Sequence, residues 1–246
     1  MAKKMRLDKL LAHTGYGSRS EIKKLVKQGV IQVDGKTAKD SGLTIDPELQ
    51  EVTVDGEVVV YREFIYLMLN KPPGVISATE DRRERTVVDL LEINDQIMEP
   101  FPVGRLDKDT VGLLLLTNDG QLAHELLSPR KHVPKTYEAR VEGDVGTSDQ
   151  EAFTAGVTLD DGYVTMPAEL VINGKEQTDN GIVSSISLTI MEGKFHQVKR
   201  MFESVGKKVI HLKRVSMGPL ALDDQLEEGA YRELTEEELE LLRRRG

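Results

Sequence analysis

The 246 residues carry 33 Lys and Arg against 42 Asp and Glu, a formal charge of −9, with 39% hydrophobic residues and neither Cys nor Trp. Such a chain buries a core, and no apolar run approaches the roughly 18 residues needed to span a bilayer. A disulfide frame, a thiolate metal site and a cysteine nucleophile are excluded, and a basic start without a signal-peptide core predicts a cytoplasmic protein.

The charge is unevenly spread. Residues 1–40 hold ten basic and four acidic side chains, and residues 191–214 hold seven basic and two acidic, whereas residues 141–170 hold seven carboxylates and no Lys or Arg. Two basic regions in an acidic chain point to contact with a polyanion at restricted places.

In chain order, Leu7, Leu10 and Leu11 fall at one-turn spacing and predict a short helix that Gly15 and Gly17 end. Ser18-Arg-Ser-Glu21 is a capping box that starts a second helix running to Gly29, with Ile22, Leu25 and Val26 on one face and Arg19, Lys23 and Lys27 forming a basic stripe beside it. Val30–Val33 before Asp34-Gly35, and Val52–Val54 before Asp55-Gly56, predict strands closed by tight turns. Phe64–Asn70 is an apolar strand stopped by Lys71-Pro-Pro-Gly74. Val111–Leu116 is another apolar run, and Tyr137–Val141 and Ser185–Ile190 alternate as half-buried strands. Gln197–Ser204 predicts a helix, and the tail from Thr235, acidic at Glu236–Glu238 and basic at Arg243–Arg245, predicts a helix suited to its own dipole. The class is α+β, with units at 1–60 and 64–234, a linker at 61–63 and a terminal acidic helix at 235–246.

Several chemistries lack their motifs. Gly15-Tyr-Gly17-Ser-Arg-Ser20 has neither the third glycine nor the preceding strand of a dinucleotide loop, and nothing in the chain matches the full Gly-x-x-x-x-Gly-Lys-Ser/Thr loop that cradles phosphates. The five histidines show no metal-ligand spacing, so neither a nucleotide cofactor nor a metal is predicted.

Three segments carry reactive side chains. Gly104-Arg-Leu-Asp107-Lys-Asp109-Thr abuts an apolar strand, where a carboxylate can be partly desolvated with Arg105 and Lys108 nearby. A loop charge is ordinarily solvated, so spacing alone leaves a plain surface turn open. Lys135-Thr-Tyr137 places an aromatic ring at a strand entrance, which serves either core packing or stacking of a flipped base. Glu192-Gly-Lys-Phe-His196-Gln-Val-Lys199-Arg200-Met-Phe202 can seat phosphates, pair with a buried carboxylate or be a basic surface helix.

In this order, the three segments and Lys71-Pro-Pro-Gly74 resemble the RsuA/RluB-type pseudouridine synthases, which isomerise uridine in ribosomal RNA. The resemblance covers nearly the whole chain, and Gly-Arg-Leu-Asp is its most specific part. It implies a small N-terminal alpha-L RNA-binding domain followed by a synthase domain on a mixed, mostly antiparallel sheet with a central cleft. It further implies Asp107 as the catalytic aspartate, Arg105 as the arginine that assists flipping, Tyr137 as the stacking tyrosine and candidate general base, and Lys199 or Arg200 as the cation partnering Asp107. RNA contacts are expected from Arg105, Lys71, His196 and Gln197, and from Arg6, Arg19, Lys23 and Lys27. His196–Phe202 together with Lys135–Tyr137 resembles the branch acting on 16S rRNA, which implies that RNA or a small-subunit assembly intermediate as partner and no cofactor, since the isomerisation neither gains nor loses atoms. The same chemistry on 23S rRNA and a non-catalytic RNA-binding assembly factor are the alternatives. A glycoside hydrolase using Asp107 and Asp109 fits poorly, because the chain lacks Trp and is only 4% aromatic.

Overall fold

The structure, a computed structural model, describes residues 4–244 and divides into two compact units, Met1–Ile65 with Glu92–Glu99, and Tyr66–Leu91 with Pro100–Gly246. Met1–Lys3 of the basic start and Arg245 of the basic tail lie outside the described residues. The segment predicted as a linker, Tyr61–Glu63, groups with the first unit, as does Glu92–Glu99.

In the first unit the capping box forms: the Glu21 amide donates to Ser18 Oγ at 3.4 Å and the Ser18 amide to Glu21 Oε2 at 2.7 Å. The helix Arg19–Gln28 ends at Gly29 in the left-handed conformation. It packs with the helix Leu7–His13 over the strands Ile31–Val33 and Val52–Val54 of a four-stranded sheet, enclosing Leu7, Leu10, Leu11, Ile22, Val26 and Ile31. Asp34-Gly35 and Asp55-Gly56 have φ of 50°, 72°, 51° and 85°, the double left-handed geometry of a turn whose twist matches its strands. Arg19, Lys23 and Lys27 are exposed along the helix.

The second unit is built on a nine-stranded sheet. Its main path runs Glu169–Thr178, Gly181–Ile190, Lys135–Glu142, Lys208–Met217, Val111–Thr117, Tyr66–Lys71 and Tyr231–Glu233. Every pairing along it is antiparallel except that between Lys208–Met217 and Val111–Thr117. All seven residues of Val111–Thr117 are buried, which explains its unalternating apolar sequence. At the parallel pairing a Cβ on Gly112, whose φ is +99°, would stand 2.3 Å from the Arg214 carbonyl oxygen, so only glycine lets the backbones meet.

The helix Glu236–Arg243 is part of this unit rather than a separate tail: Leu239 and Leu242 enter the cluster of Met68, Leu113 and Leu115. Arg232 fixes it through a fork of two 2.8 Å bonds to Glu238. Among the described residues no helix is long and apolar enough to cross a membrane.

Candidate active site

The turn Gly104–Thr110 enters the buried strand Val111–Thr117, and its polar backbone has to be satisfied from inside. Ser77 donates its hydroxyl to the Leu106 carbonyl at 2.9 Å and accepts from the Leu106 amide at 3.0 Å. The Gly74 amide donates to the Lys108 carbonyl at 2.8 Å. Lys71, 0% exposed, sends its ammonium to the carbonyls of Pro72 (3.0 Å), Lys108 (3.4 Å) and Thr110 (2.9 Å). Burial pulls its pKa down to about 8 against the opposing pull of Asp109 and Asp107. The RNA contact expected of Lys71 is therefore corrected: its charge is enclosed and staples the turn.

Asp107 and Asp109 lie in a turn that the Thr110 amide closes by donating to the Asp107 carbonyl at 3.1 Å. Both carboxylates face Lys199, whose Nζ lies 3.0 Å from Asp107 Oδ2 and 2.6 Å from Asp109 Oδ1. Burial opposes the charge on Lys199, but hydrogen bonds to the two aspartates outweigh it and hold its pKa above the ordinary lysine value. The Lys199 hydrogen bond holds the Asp109 carboxyl below its usual range. His196 adds its Nε2 at 3.5 Å from Asp107 Oδ1.

Arg200, the other expected partner of Asp107, pairs instead with Asp160 and Asp161. Successive helical residues point about 100° apart, so one helix cannot aim both cations at one carboxylate. Gln197, expected as an RNA contact, lines the cavity but is 4% exposed; it accepts from the Lys194 amide at 2.8 Å and donates to Glu192 at 3.0 Å, so its amide shapes its own loop. In the first unit, Arg6 forks onto Asp8 at 3.0 and 2.7 Å, which neutralises much of the charge expected to meet RNA there.

A cavity of about 890 Å³ opens over this turn, within the size range of small-molecule sites. Asp107, Arg105, Tyr137 and His196 line it. Tyr137, 8% exposed, lies on the strand Lys135–Glu142, and Arg105 is exposed. Five Lys and Arg (Arg105, Lys108, Lys135, Lys194 and Arg214) line the cavity against two carboxylates, Asp107 and Glu192. The excess of positive charge thus sits where a polyanion would enter, although the chain as a whole is acidic.

Sequence reasoning assigned no individual role to Arg214 or Phe195. Phe195, 76% exposed, stacks on the His196 ring with centroids 3.7 Å apart. Arg214 is 2% exposed and stands directly across from Tyr137 in the sheet. An arginine set among Leu212 and Val215 in a strand was the available signal, submerged in the count of basic residues around it.

The chain is similar to known proteins over nearly its whole length. Residues 65–204 match the family model described as RNA pseudouridylate synthase, and residues 5–51 match the S4 domain. The chain is 59% identical to an uncharacterised RNA pseudouridine synthase, YtzG, of Bacillus subtilis, covering 97% of this chain and 98% of that one. It is 41% identical to the ribosomal large subunit pseudouridine synthase B of Bacillus subtilis, covering 97% and 95%. It is 38% identical to the ribosomal small subunit pseudouridine synthase A of Escherichia coli, covering 96% and 98%. Among solved structures, a pseudouridylate synthase matches with a TM-score of 0.65 at 36% identity, covering 97% of this chain and 99% of that one.

Proposed function

This chain belongs to the RNA pseudouridylate synthase family, and on that premise we propose that it isomerises one uridine of small-subunit (16S) ribosomal RNA, as naked RNA or within an assembly intermediate. The carrying observation is Asp107, a carboxylate in a cation-rich cavity with Lys199 at 3.0 Å and its turn pinned from beneath by Lys71 and Ser77.

The reaction breaks the N1–C1′ bond, turns the uracil and joins C5 to C1′; the C5 proton leaves and N1 takes one up. Asp107 is the group that acts on the sugar or base, and Lys199, 3.0 Å away, holds it in place. The target base must leave its helix or loop, at a cost of a few kcal/mol, and stacking on Tyr137 with contacts from Arg105 offsets that cost. Arg19, Lys23 and Lys27 hold backbone phosphates, which makes affinity salt-dependent.

The resemblance of His196–Phe202 and Lys135–Tyr137 to the 16S branch supports the small-subunit assignment. The 41% identity to a large subunit enzyme favours 23S RNA as the second reading. Pseudouridine mapping of both ribosomal RNAs in cells lacking the protein, complemented with wild type or Asp107→Asn, tests both. A single 16S site that returns only with wild type supports the proposal. A 23S site replaces the substrate, and no lost site removes the ribosomal-RNA reading.

A further inference from the structure

We propose that Arg214, with Lys135 beside it, is an oxyanion-binding group that receives a carbonyl oxygen of the flipped uracil and carries the negative charge of the base while it is detached from the sugar. The inference rests on the isomerase reading above and assigns that site a further catalytic residue.

Strand register puts Arg214 there. Thr136 pairs with Ser216 and Tyr137 with Arg214, so Val215 is an extra residue on one strand. This bulge re-aims the chain and leaves Arg214 directly opposite Tyr137, and cross-strand partners share a face of the sheet. Both side chains line the cavity, as does Lys135, two residues before Tyr137 on the same face. A uracil stacked on Tyr137 therefore presents its polar edge to this wall.

The guanidinium is unspent. Among the described residues, one of its five N–H groups is used in a hydrogen bond, from Nε to the Leu113 carbonyl at 2.8 Å. Among the described residues Nη2 is buried without a partner, and no carboxylate lies within ion-pairing distance of the side chain. An unpaired buried cation costs several kcal/mol unless something compensates it. Lys135 gives its ammonium to the Val133 carbonyl at 2.8 Å; burial, and then the charge of Arg214, lower its pKa. Two cations thus share one wall of the cavity, Arg214 buried and Lys135 partly buried, and among the described residues neither is in an ion pair. A phosphate is met more readily by the exposed Arg105 and Lys108 than by a guanidinium that is 2% exposed.

Heterolysis of N1–C1′ supplies the missing charge. The bonding pair stays with uracil and spreads over N1, O2 and O4. The same anion then attacks C1′ through C5, the C5 proton departs and N1 is protonated, so no outside reactant enters. Donors fixed in advance toward charge that develops only during reaction accelerate it, and losing one costs about 10²- to 10³-fold.

The test uses Arg214→Gln, which keeps an N–H at the Nε position for the Leu113 carbonyl and removes the cation, together with Arg214→Lys, which restores a charge. The probe is RNA containing the mapped uridine, and the readouts are single-turnover rate, dissociation constant and salt slope. The expected result for Arg214→Gln is a rate loss of about 10²- to 10³-fold, with affinity within about three-fold, an unchanged slope and at least ten-fold recovery in Arg214→Lys. A rate within three-fold of wild type overturns the inference. So does weakened binding with the slope reduced by about one phosphate's share, which would make Arg214 a phosphate contact. Should both variants misfold, wild type is assayed on RNA carrying 2-thiouridine or 4-thiouridine at the target. Slower turnover of one of them is expected, and unchanged rates on both overturn the proposal. If wild type forms no pseudouridine in any RNA, the isomerase reading falls first and this one with it; an active wild type with indifferent variants removes this one alone.

Discussion

Lys71→Met removes a buried ammonium at nearly constant volume, and its consequences can be worked from the surrounding hydrogen bonds. The Lys108 carbonyl keeps the Gly74 amide, so the carbonyls of Pro72 and Thr110 lose the donor described for them. At about 1–3 kcal/mol for each orphaned buried group, the loss is about 2–6 kcal/mol. Against this, the variant no longer buries a charge whose pKa falls from 10.5 to about 8, a relief of about 3 kcal/mol at 1.36 kcal/mol per pH unit. Global stability therefore changes by about 3 kcal/mol or less, whereas the turn bearing Asp107 loses its staple. The assay is urea unfolding alongside single-turnover release of tritium from RNA labelled at uridine C5. The expected result is a rate loss of at least about 10²-fold at a modest midpoint shift, since small misplacement of a reacting group carries that cost. Full activity in a folded Lys71→Met protein would refute the stapling argument.

The same residue sets a pH dependence. A neutral amine offers two N–H groups to three carbonyls, so the wild-type rate should fall as pH rises through about 8, and the pH profile of a residually active Lys71→Met should lack that limb. Stability should move the other way: the unfolded chain binds the extra proton between about 8 and 10.5, so this group's destabilising effect fades as pH climbs through that window, measurable by unfolding at fixed temperature. Asp107→Asn should abolish isomerisation and leave RNA affinity within a few-fold by filter binding. Lys199→Met should cost at least about 10²-fold in rate, while Arg200→Met, which frees Asp160 and Asp161 rather than Asp107, should cost about ten-fold or less. Changing Arg19, Lys23 and Lys27 together to Ala should weaken binding and flatten its log–log salt slope by about 2, at roughly 0.7 for each phosphate no longer neutralised. Gly112→Ala should destabilise the chain by at least about 3 kcal/mol in urea unfolding, because its Cβ meets the Arg214 carbonyl at 2.3 Å.

The parts legible in the sequence are those governed by near neighbours. Ser18 and Glu21 announce their helix because a capping box closes within one turn, and Asp34-Gly35 announces its hairpin because both residues tolerate positive φ. The apolar run from Val111 is legible because burial on both faces leaves no other composition. Lys71 misleads because Lys-Pro-Pro-Gly looks like any surface turn; its acceptors at Lys108 and Thr110 come from a segment some forty residues on, and only the closed sheet delivers them. Adjacent cations at 199 and 200 identify a partner for Asp107 only to within one residue, since the choice depends on the rotation of their helix. Arg214 gains its position through a bulge at Val215, and local alternation carries no trace of where a facing strand slips register.

The parallel strand pairing also bears on synthesis. It joins Val111 to Lys213, so no strand can take its place there until most of the chain has left the ribosome. At about 5–20 residues per second, several seconds separate emergence of Asp107 from that of Lys199 and Arg214. The basic N-terminal unit draws its core chiefly from the first sixty residues and needs no such wait. On the function proposed above, a nascent chain holds RNA before it can alter it, and competence for chemistry marks a chain whose catalytic sheet has closed.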